Sequence, residues 1–445
     1  MRQVADSDAY ANLVLPPLLR ERGITGRDAA FATELAYGTL RLRARHDAVI
    51  ALAASRPVEK IDPPVLDLLR LGVHQLLALR VPAHAAVSET VAIARSAVGT
   101  GASQFVNAVL RKVAADPADT WLTRVADAAP DDVARLAAVH SHPAWVVRAL
   151  RQALVADGHE PAELDDLLVA DNTAPAVTLV ARPGLAERAD VLAATAQARP
   201  GRWTPTAVVL PGGDPVAVPG VREGRVGVQD EGSQLVALAL AAAEPVRAGE
   251  RWLDLCAGPG GKSALLGAVA AQHAGHLVAV EVQPHRAELV RRSTAAVPGG
   301  VLTVRAADGR EVGAQEPSTY DRVLVDAPCT GLGALRRRPE ARWRRSTADL
   351  PELGRLQREL LASALDAVRP GGLVAYVTCS PHVAETRLVV EDVLRRRDDV
   401  EQLDAREAVR AVAGDIPLGE GPAVQLWPHV HGTDAMHLAL LRRRA

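Results

Sequence analysis

Cys329 and Cys379 each lie within a short polar motif, Asp326-Ala327-Pro328-Cys329-Thr330-Gly331 and Thr378-Cys379-Ser380. A thiolate attacks an electron-poor carbon, forms a covalent intermediate and can leave again, so a cysteine in such a motif is a candidate nucleophile. Either cysteine alone reads first as an inert small buried hydrophobe; it is the two together that point to chemistry. Cys256 brings the total to three. That number is too small and too odd for a disulfide framework and points to a reducing cytoplasm.

Cys256 opens the run Cys256-Ala257-Gly258-Pro259-Gly260-Gly261-Lys262, which follows a strand pattern and leads into a helix pattern. Glycines after a first strand let the backbone approach a ligand, and the helix N-terminus offers free amides to a negative group. Three ligands suit such a turn: a dinucleotide, a nucleotide phosphate, or the carboxylate of S-adenosylmethionine. The dinucleotide fingerprint fails because Ser263 stands at its third glycine. A phosphate loop would end as Gly261-Lys262-Ser263 does, but Cys256 replaces its first glycine. Acids then close successive strand patterns: Glu281, suited to ribose hydroxyls, Asp308, suited to an adenine amino group, and Asp326. Open α/β sheets bind their ligands at these carboxyl ends. Singly, Glu281 or Asp308 reads as well as a helix cap, and Asp326 as a metal-binding acid.

Directly after the Asp326 motif comes Leu335-Arg336-Arg337-Arg338-Pro339-Glu340-Ala341-Arg342-Trp343-Arg344-Arg345. In isolation this is a solvated basic loop. Beside an active site, the six arginines and Trp343 would make a phosphate clamp with a stacking face for RNA.

The elements needed to position these residues are legible in the hydrophobic period. From Ala9 to about Ala115 apolar residues recur at helical spacing, as in Val65-Leu66-Asp67-Leu68-Leu69-Arg70-Leu71, and no alternating strand pattern interrupts them. An all-helical domain follows, with Pro63-Pro64 and Pro82 at helix starts. Between Thr173 and Gly220 short strands, Val177–Val180 and Ala207–Leu210, alternate with Pro and Gly punctuation, which predicts a small α+β linker module. From Val226 onward strands and helices alternate, the rhythm of parallel βαβ units. Strands are expected at Arg251–Cys256, Leu277–Val282, Leu302–Ala306, Arg322–Asp326 and Leu373–Thr378. The helices expected between them are Lys262–Ala271, Arg286–Ser293 and Leu350–Val368.

At 445 residues the chain exceeds one core, and the expected division is 1–145, 146–225 and 226–445. A soluble balance of 48% hydrophobic and 23% charged residues, with no apolar run of membrane length, argues against a membrane protein. Met1–Tyr10 lacks the apolar core of a secretory signal. A formal net charge of -2 means that any nucleic-acid contact must come from local basic patches. Those patches are arginine, since lysine occurs only at Lys60, Lys112 and Lys262.

Taken together, the Asp326–Gly331 and Thr378–Ser380 motifs and the glycine-rich turn resemble the Sun/Fmu (RsmB-type) 16S rRNA cytosine-5 methyltransferases of the NOL/NOP2/sun superfamily. The resemblance spans nearly the whole chain. It implies an all-α NusB-like N-terminal domain that binds RNA, a linker module, and a C-terminal α/β Rossmann-like methyltransferase domain. On the matching positions it implies that Cys256, Ala257, Gly258, Pro259, Gly260, Gly261, Lys262, Glu281, Asp308 and Asp326 bind S-adenosylmethionine. It further implies that Cys379 is the nucleophile and that Cys329 assists release of the product. Asp326 would also hydrogen-bond the cytosine amino edge. Arg336, Arg337, Arg338, Arg342, Trp343, Arg344 and Arg345 are the expected RNA contacts. A cytoplasmic monomer acting on 16S rRNA without a metal is the corresponding expectation. Two features depart from the family's pattern: Ala435-Met436-His437 replaces the usual glycine and aromatics after Gly432-Thr433-Asp434, and the chain starts without the first helix of a NusB-like domain.

Two opposing readings come from other classes. A phosphate-loop ATPase would use Gly261-Lys262-Ser263 with Asp326 as its magnesium acid, and it predicts magnesium-dependent ATP binding. An RNA-binding scaffold with an inactive C-terminal domain is the other, and intact Lys262, Asp326 and Cys379 argue against it.

Overall fold

The computed structural model describes residues 11–445, without the side chains of Asn12 and Leu13. The expectations made on Met1–Tyr10 and on the start of the chain fall on residues outside those described. The chain divides into two compact units. One contains the chain through Arg151 together with Leu168–Thr173 and Leu335–Ser346; the other contains Gln152–Leu167, Ala174–Ala334 and Thr347–Ala445.

The first unit is helical. Helices Gly26–Arg41, Arg43–Ala54, Pro63–Leu77, Ala83–Ala97, Thr100–Ala114, Ala118–Asp127 and Asp132–Val139 form its body. The apolar stripes of the helices from Arg43 to Val139 meet in one core around Ile50, Leu69, Val73, Leu110, Val113 and Trp121, as helical spacing requires. Pro63 and Pro64 open their helix in its first turn, where a missing N–H costs nothing.

The second unit carries two sheets. Strands β1 (Thr178–Ala181), β2 (Arg199–Pro200), β3 (Ala207–Val209) and β4 (Val226–Val228) form a small antiparallel sheet in the order β2-β3-β1-β4. The larger sheet is built from β5 (Arg251–Asp254), β6 (His276–Glu281), β7 (Leu302–Ala306), β8 (Tyr320–Asp326), β9 (Val368–Thr378), β10 (Val400–Leu403), β11 (Val424–Gln425) and β12 (His437–Arg443). Its order is β10-β12-β9-β8-β5-β6-β7, with β11 paired to β12. Strands β5 to β9 are parallel, whereas β12 runs antiparallel between β9 and β10.

Neighbouring residues on each strand feed opposite cores: Trp252, Leu324 and Ala375 face one, and Leu253, Val323 and Val374 face the other. Helices Glu231–Ala242 and Gly261–Gln272 cover the first face, and Leu350–Ala367 and Arg387–Leu394 the second. Burial on both faces explains why these strands read as apolar runs. Strand order reverses at β5, whose neighbours are β6 and β8, and a ligand crevice forms at such a switch. No helix among the described residues is long and apolar enough to cross a membrane.

Candidate active site

The turn after β5 is built for close approach. A Cβ on Gly258 would lie 2.2 Å from a carboxylate oxygen of Glu281 and 2.8 Å from the Arg286 guanidinium, so a side chain there would displace one or both of them. Gly260, at φ 106°, begins the helix Gly261–Gln272 from the left-handed region. Arg286 donates to the Gly258 carbonyl at 2.9 Å and stands 3.5 Å from Glu281. Beneath the turn, buried Asp254 accepts from Ser263 Oγ at 2.6 Å. Burial first, and then the nearby Asp326 charge, push the Asp254 carboxyl up to about 7 against that hydrogen bond.

A glycine-rich turn, a helix N-terminus with free amides and an acid closing β6 are the kinds of group that fit S-adenosylmethionine. Asp308 is placed differently. It caps the helix Gly309–Gln315, accepting from Arg310 N at 2.9 Å, and is clasped by the Arg310 guanidinium, whose hydrogen bond holds the carboxyl below its ordinary range.

Strands β8 and β9 pair in parallel up to Asp326 and Val377, and Ala327 N donates to Val377 O at 2.9 Å. The loops leaving them therefore start side by side. This pairing brings together two thiols fifty residues apart, with Sγ of Cys329 3.5 Å from Sγ of Cys379. The hydrogen bond from Cys329 is the largest influence on Cys379 and lowers its pKa; burial and Asp326 oppose it and Lys262 assists. The same contact, followed by burial, pushes Cys329 well above the ordinary thiol range. Burial does the same to Cys256, aided by Asp254, Asp326 and Glu281. Of the three, Cys379 alone is driven toward thiolate. Lys262 Nζ meets Asp326 Oδ2 at 2.7 Å, and although burial disfavours its charge, Asp326 raises its pKa and keeps it cationic.

Several residues here went unmarked in the sequence. Glu385, wholly buried, hydrogen-bonds both cysteine loops through Thr330 and Ser380. Gly333 N donates to Cys379 O at 2.8 Å and Gly333 O accepts from Ala435 N at 2.9 Å, leaving no room for a side chain. Nothing in spacing flags either residue, nor Asp254 or Arg286. The Ala435-Met436-His437 departure is accommodated: all three are buried, and β12 pairs with β9 from His437 opposite Thr378 to Arg442 opposite Leu373. His159, Glu163 and His429 also have metal-ligand spacing, but both imidazoles already hydrogen-bond Glu163 Oε2, at 2.9 and 3.3 Å.

The arginine run separates into two kinds of residue. Arg342 is 0% exposed and donates to the carbonyls of Ser141 (2.9 Å), Arg41 and Asp171 (both 3.4 Å) and to the side chain of Asn172 (3.0 Å). Arg336 is buried as well, and its carbonyl accepts from Arg41. Neither can present its guanidinium to a phosphate in this conformation. This corrects the expectation that the whole run is an RNA-facing surface: the carbonyls ending helices Gly26–Arg41 and Leu164–Asp171 lack intrahelical donors, and Arg342 satisfies them. Trp343 is half-buried, with the Arg43 guanidinium 5.6 Å from its ring centroid. Arg344 is half-buried, and Arg337, Arg338 and Arg345 are exposed.

Residues 241–442 match the family model for 16S rRNA methyltransferase RsmB/F, and residues 1–115 that of the NusB family. Ribosomal RNA small subunit methyltransferase B of Salmonella paratyphi B is 32% identical over 94% of this chain and 94% of its own. The chain belongs to the RsmB/F methyltransferase family. A protein of Mycobacterium tuberculosis named as a methyltransferase is 54% identical over 100% of this chain and 94% of its own. The solved structure of PH0851 superposes with a TM-score of 0.77, covering 96% of this chain and 93% of its own at 21% identity, a likeness of fold. This RsmB/F member is thus an rRNA methyltransferase whose cofactor is S-adenosylmethionine. Membership of this family leaves the ATPase and scaffold readings without support.

Proposed function

We propose that this RsmB/F member methylates carbon 5 of a cytosine in 16S rRNA, with Cys379 adding covalently to carbon 6. The observation that carries the reading is the thiol pair, Sγ to Sγ 3.5 Å, beside the Lys262–Asp326 ion pair.

Carbon 5 of cytosine is too weak a nucleophile to take a methyl group unaided. Addition of the Cys379 thiolate to carbon 6 places carbanion character on carbon 5 and splits one hard step into easier ones. Bound S-adenosylmethionine supplies the methyl group. Cys256 to Lys262, Glu281, Asp308 and Asp326 are the residues proposed to hold it, and Asp326 also to meet the cytosine amino edge. Once Cys379 is bonded to carbon 6 it no longer takes a hydrogen bond as thiolate. Cys329 then loses the interaction that held its proton; release removes the carbon 5 proton to a base and expels the Cys379 thiolate as the carbon 5–carbon 6 double bond re-forms, and Cys329 is proposed to assist that step. Exposed Arg337, Arg338 and Arg345 serve as phosphate contacts.

The test incubates wild type, Cys379→Ala and Cys329→Ala with labelled S-adenosylmethionine and unmodified 16S rRNA. Cys379→Ala should abolish transfer, and Cys329→Ala should accumulate a protein–RNA adduct. The reversed pattern would move the nucleophile to Cys329, and no transfer by wild type would remove the reading.

A further inference from the structure

We infer that Glu385 is a positioning residue for the thiol pair, its buried carboxylate clamping the Cys329 loop to the Cys379 loop; this rests on the proposed roles of the two cysteines. Glu385 lies in a single 3-10 turn after β9 and is 0% exposed. Oε1 accepts from Thr330 N at 2.7 Å and from Gln357 Nε2 at 3.3 Å. Oε2 accepts from Thr330 Oγ1 at 2.5 Å and from Ser380 Oγ at 2.7 Å. Four donors fill the four acceptor positions of a carboxylate, which is what a group removed from water requires.

The placement of those donors gives the clamp its function. Thr330 follows Cys329, and Ser380 follows Cys379. One carboxylate therefore fixes the residue next to each sulfur, and the two hydroxyls meet each other at 3.1 Å. Gln357 extends the clamp by donating to Pro328 O at 2.8 Å, on the other side of Cys329. The carboxylate is itself held through its backbone, where Tyr376 OH donates to Glu385 O at 2.7 Å and Glu385 N donates to His382 O at 2.8 Å. An S–H···S contact depends steeply on separation, so loosening either loop removes the hydrogen bond that favours the Cys379 thiolate. Glu385 touches neither sulfur and acts through the loops.

The experiment uses the full chain with Glu385→Asp, which keeps the charge but withdraws it by one methylene, and with Thr330→Val and Ser380→Ala, which each delete one hydroxyl. Single-turnover methyl transfer to 16S rRNA should fall roughly 10- to 100-fold in Glu385→Asp, as misplacement of reacting groups does. KM for S-adenosylmethionine should stay within about two-fold, because the turn after β5 is untouched. The pH at which iodoacetamide alkylates Cys379 should move upward in all three variants. A purely structural role would lower the melting temperature and leave that profile in place. The alkylation profile needs no RNA, so it tests the clamp even if wild type fails to methylate cytosine. Should Glu385→Asp fail to fold, the two hydroxyl variants decide the matter. Wild-type transfer rates with unmoved alkylation profiles would overturn the inference.

Discussion

A thiol is an effective nucleophile at neutral pH only when its neighbours favour the anion, and at Cys379 the foremost neighbour is Cys329. Alkylation of Cys379 by iodoacetamide should therefore begin below the ordinary thiol range, and Cys329→Ala should shift the profile to higher pH; an unmoved profile would assign the thiolate to Lys262 alone. Gly258→Ala gives a second test, because the added methyl would collide with Glu281 and Arg286. Titration calorimetry should show S-adenosylmethionine affinity reduced by about 100-fold, the cost of roughly 2–3 kcal/mol expected of overpacking, with the fold retained. Affinity equal to wild type would place the cofactor elsewhere. At this scale the sequence revealed what motifs encode, namely the cysteines, Lys262 and Asp326. Glu385 and Gly333 escaped it because their roles depend on loops that meet only after β8 and β9 have paired.

Helices and strands were legible where one period held over many residues. Four of the five parallel strands, β5, β6, β8 and β9, show as apolar runs because both faces are buried; β10 and β11 are short, and only tertiary pairing with β12 defines them. Arg342 misleads for the opposite reason, since composition records its charge but not the helix-end carbonyls awaiting a donor. Arg342→Ala leaves those carbonyls unpaired, which should destabilise the helical unit by about 3 kcal/mol; calorimetry showing an unchanged melting profile would contradict the anchoring role. The same unit should weaken in acid. His46 and His74 are buried with Nε2 and Nδ1 3.1 Å apart. Burial, with neighbouring charges, holds His46 well below 6.5 and His74 at about 4. Below pH 6.5 the unfolded chain takes up protons that the folded one refuses, so stability is lost as pH falls from 6.5 toward 4. The loss from His74 should be on the order of 3 kcal/mol, read by denaturant melts across that range, and His74→Gln should reduce the total acid loss by about that amount while the part from His46 stays.

For the whole molecule, the sequence yields an ordered series of stretches, but the fold interleaves them: the chain leaves the second unit after Ala334, contributes Leu335–Ser346 to the helical unit and returns at Thr347. Hydrogen bonds between residues about three hundred positions apart, such as Arg342 with Arg41, leave no periodic trace. Net charge gives the remaining prediction. At -2 the chain has no global field to attract RNA, so affinity must come from a few local arginines and their release of counterions. Burial removes Arg336 and Arg342 from that set, and exposure keeps Arg337, Arg338 and Arg345. Changing these three to Gln should weaken binding to 16S rRNA and to an unrelated single strand alike, because phosphate contacts carry no sequence information. The slope of log K against log salt should flatten by about 2, roughly 0.7 for each phosphate no longer neutralised. Filter binding across a salt series measures this directly. An unchanged slope would show that the phosphates are held by other residues and would return the segment to a purely structural role.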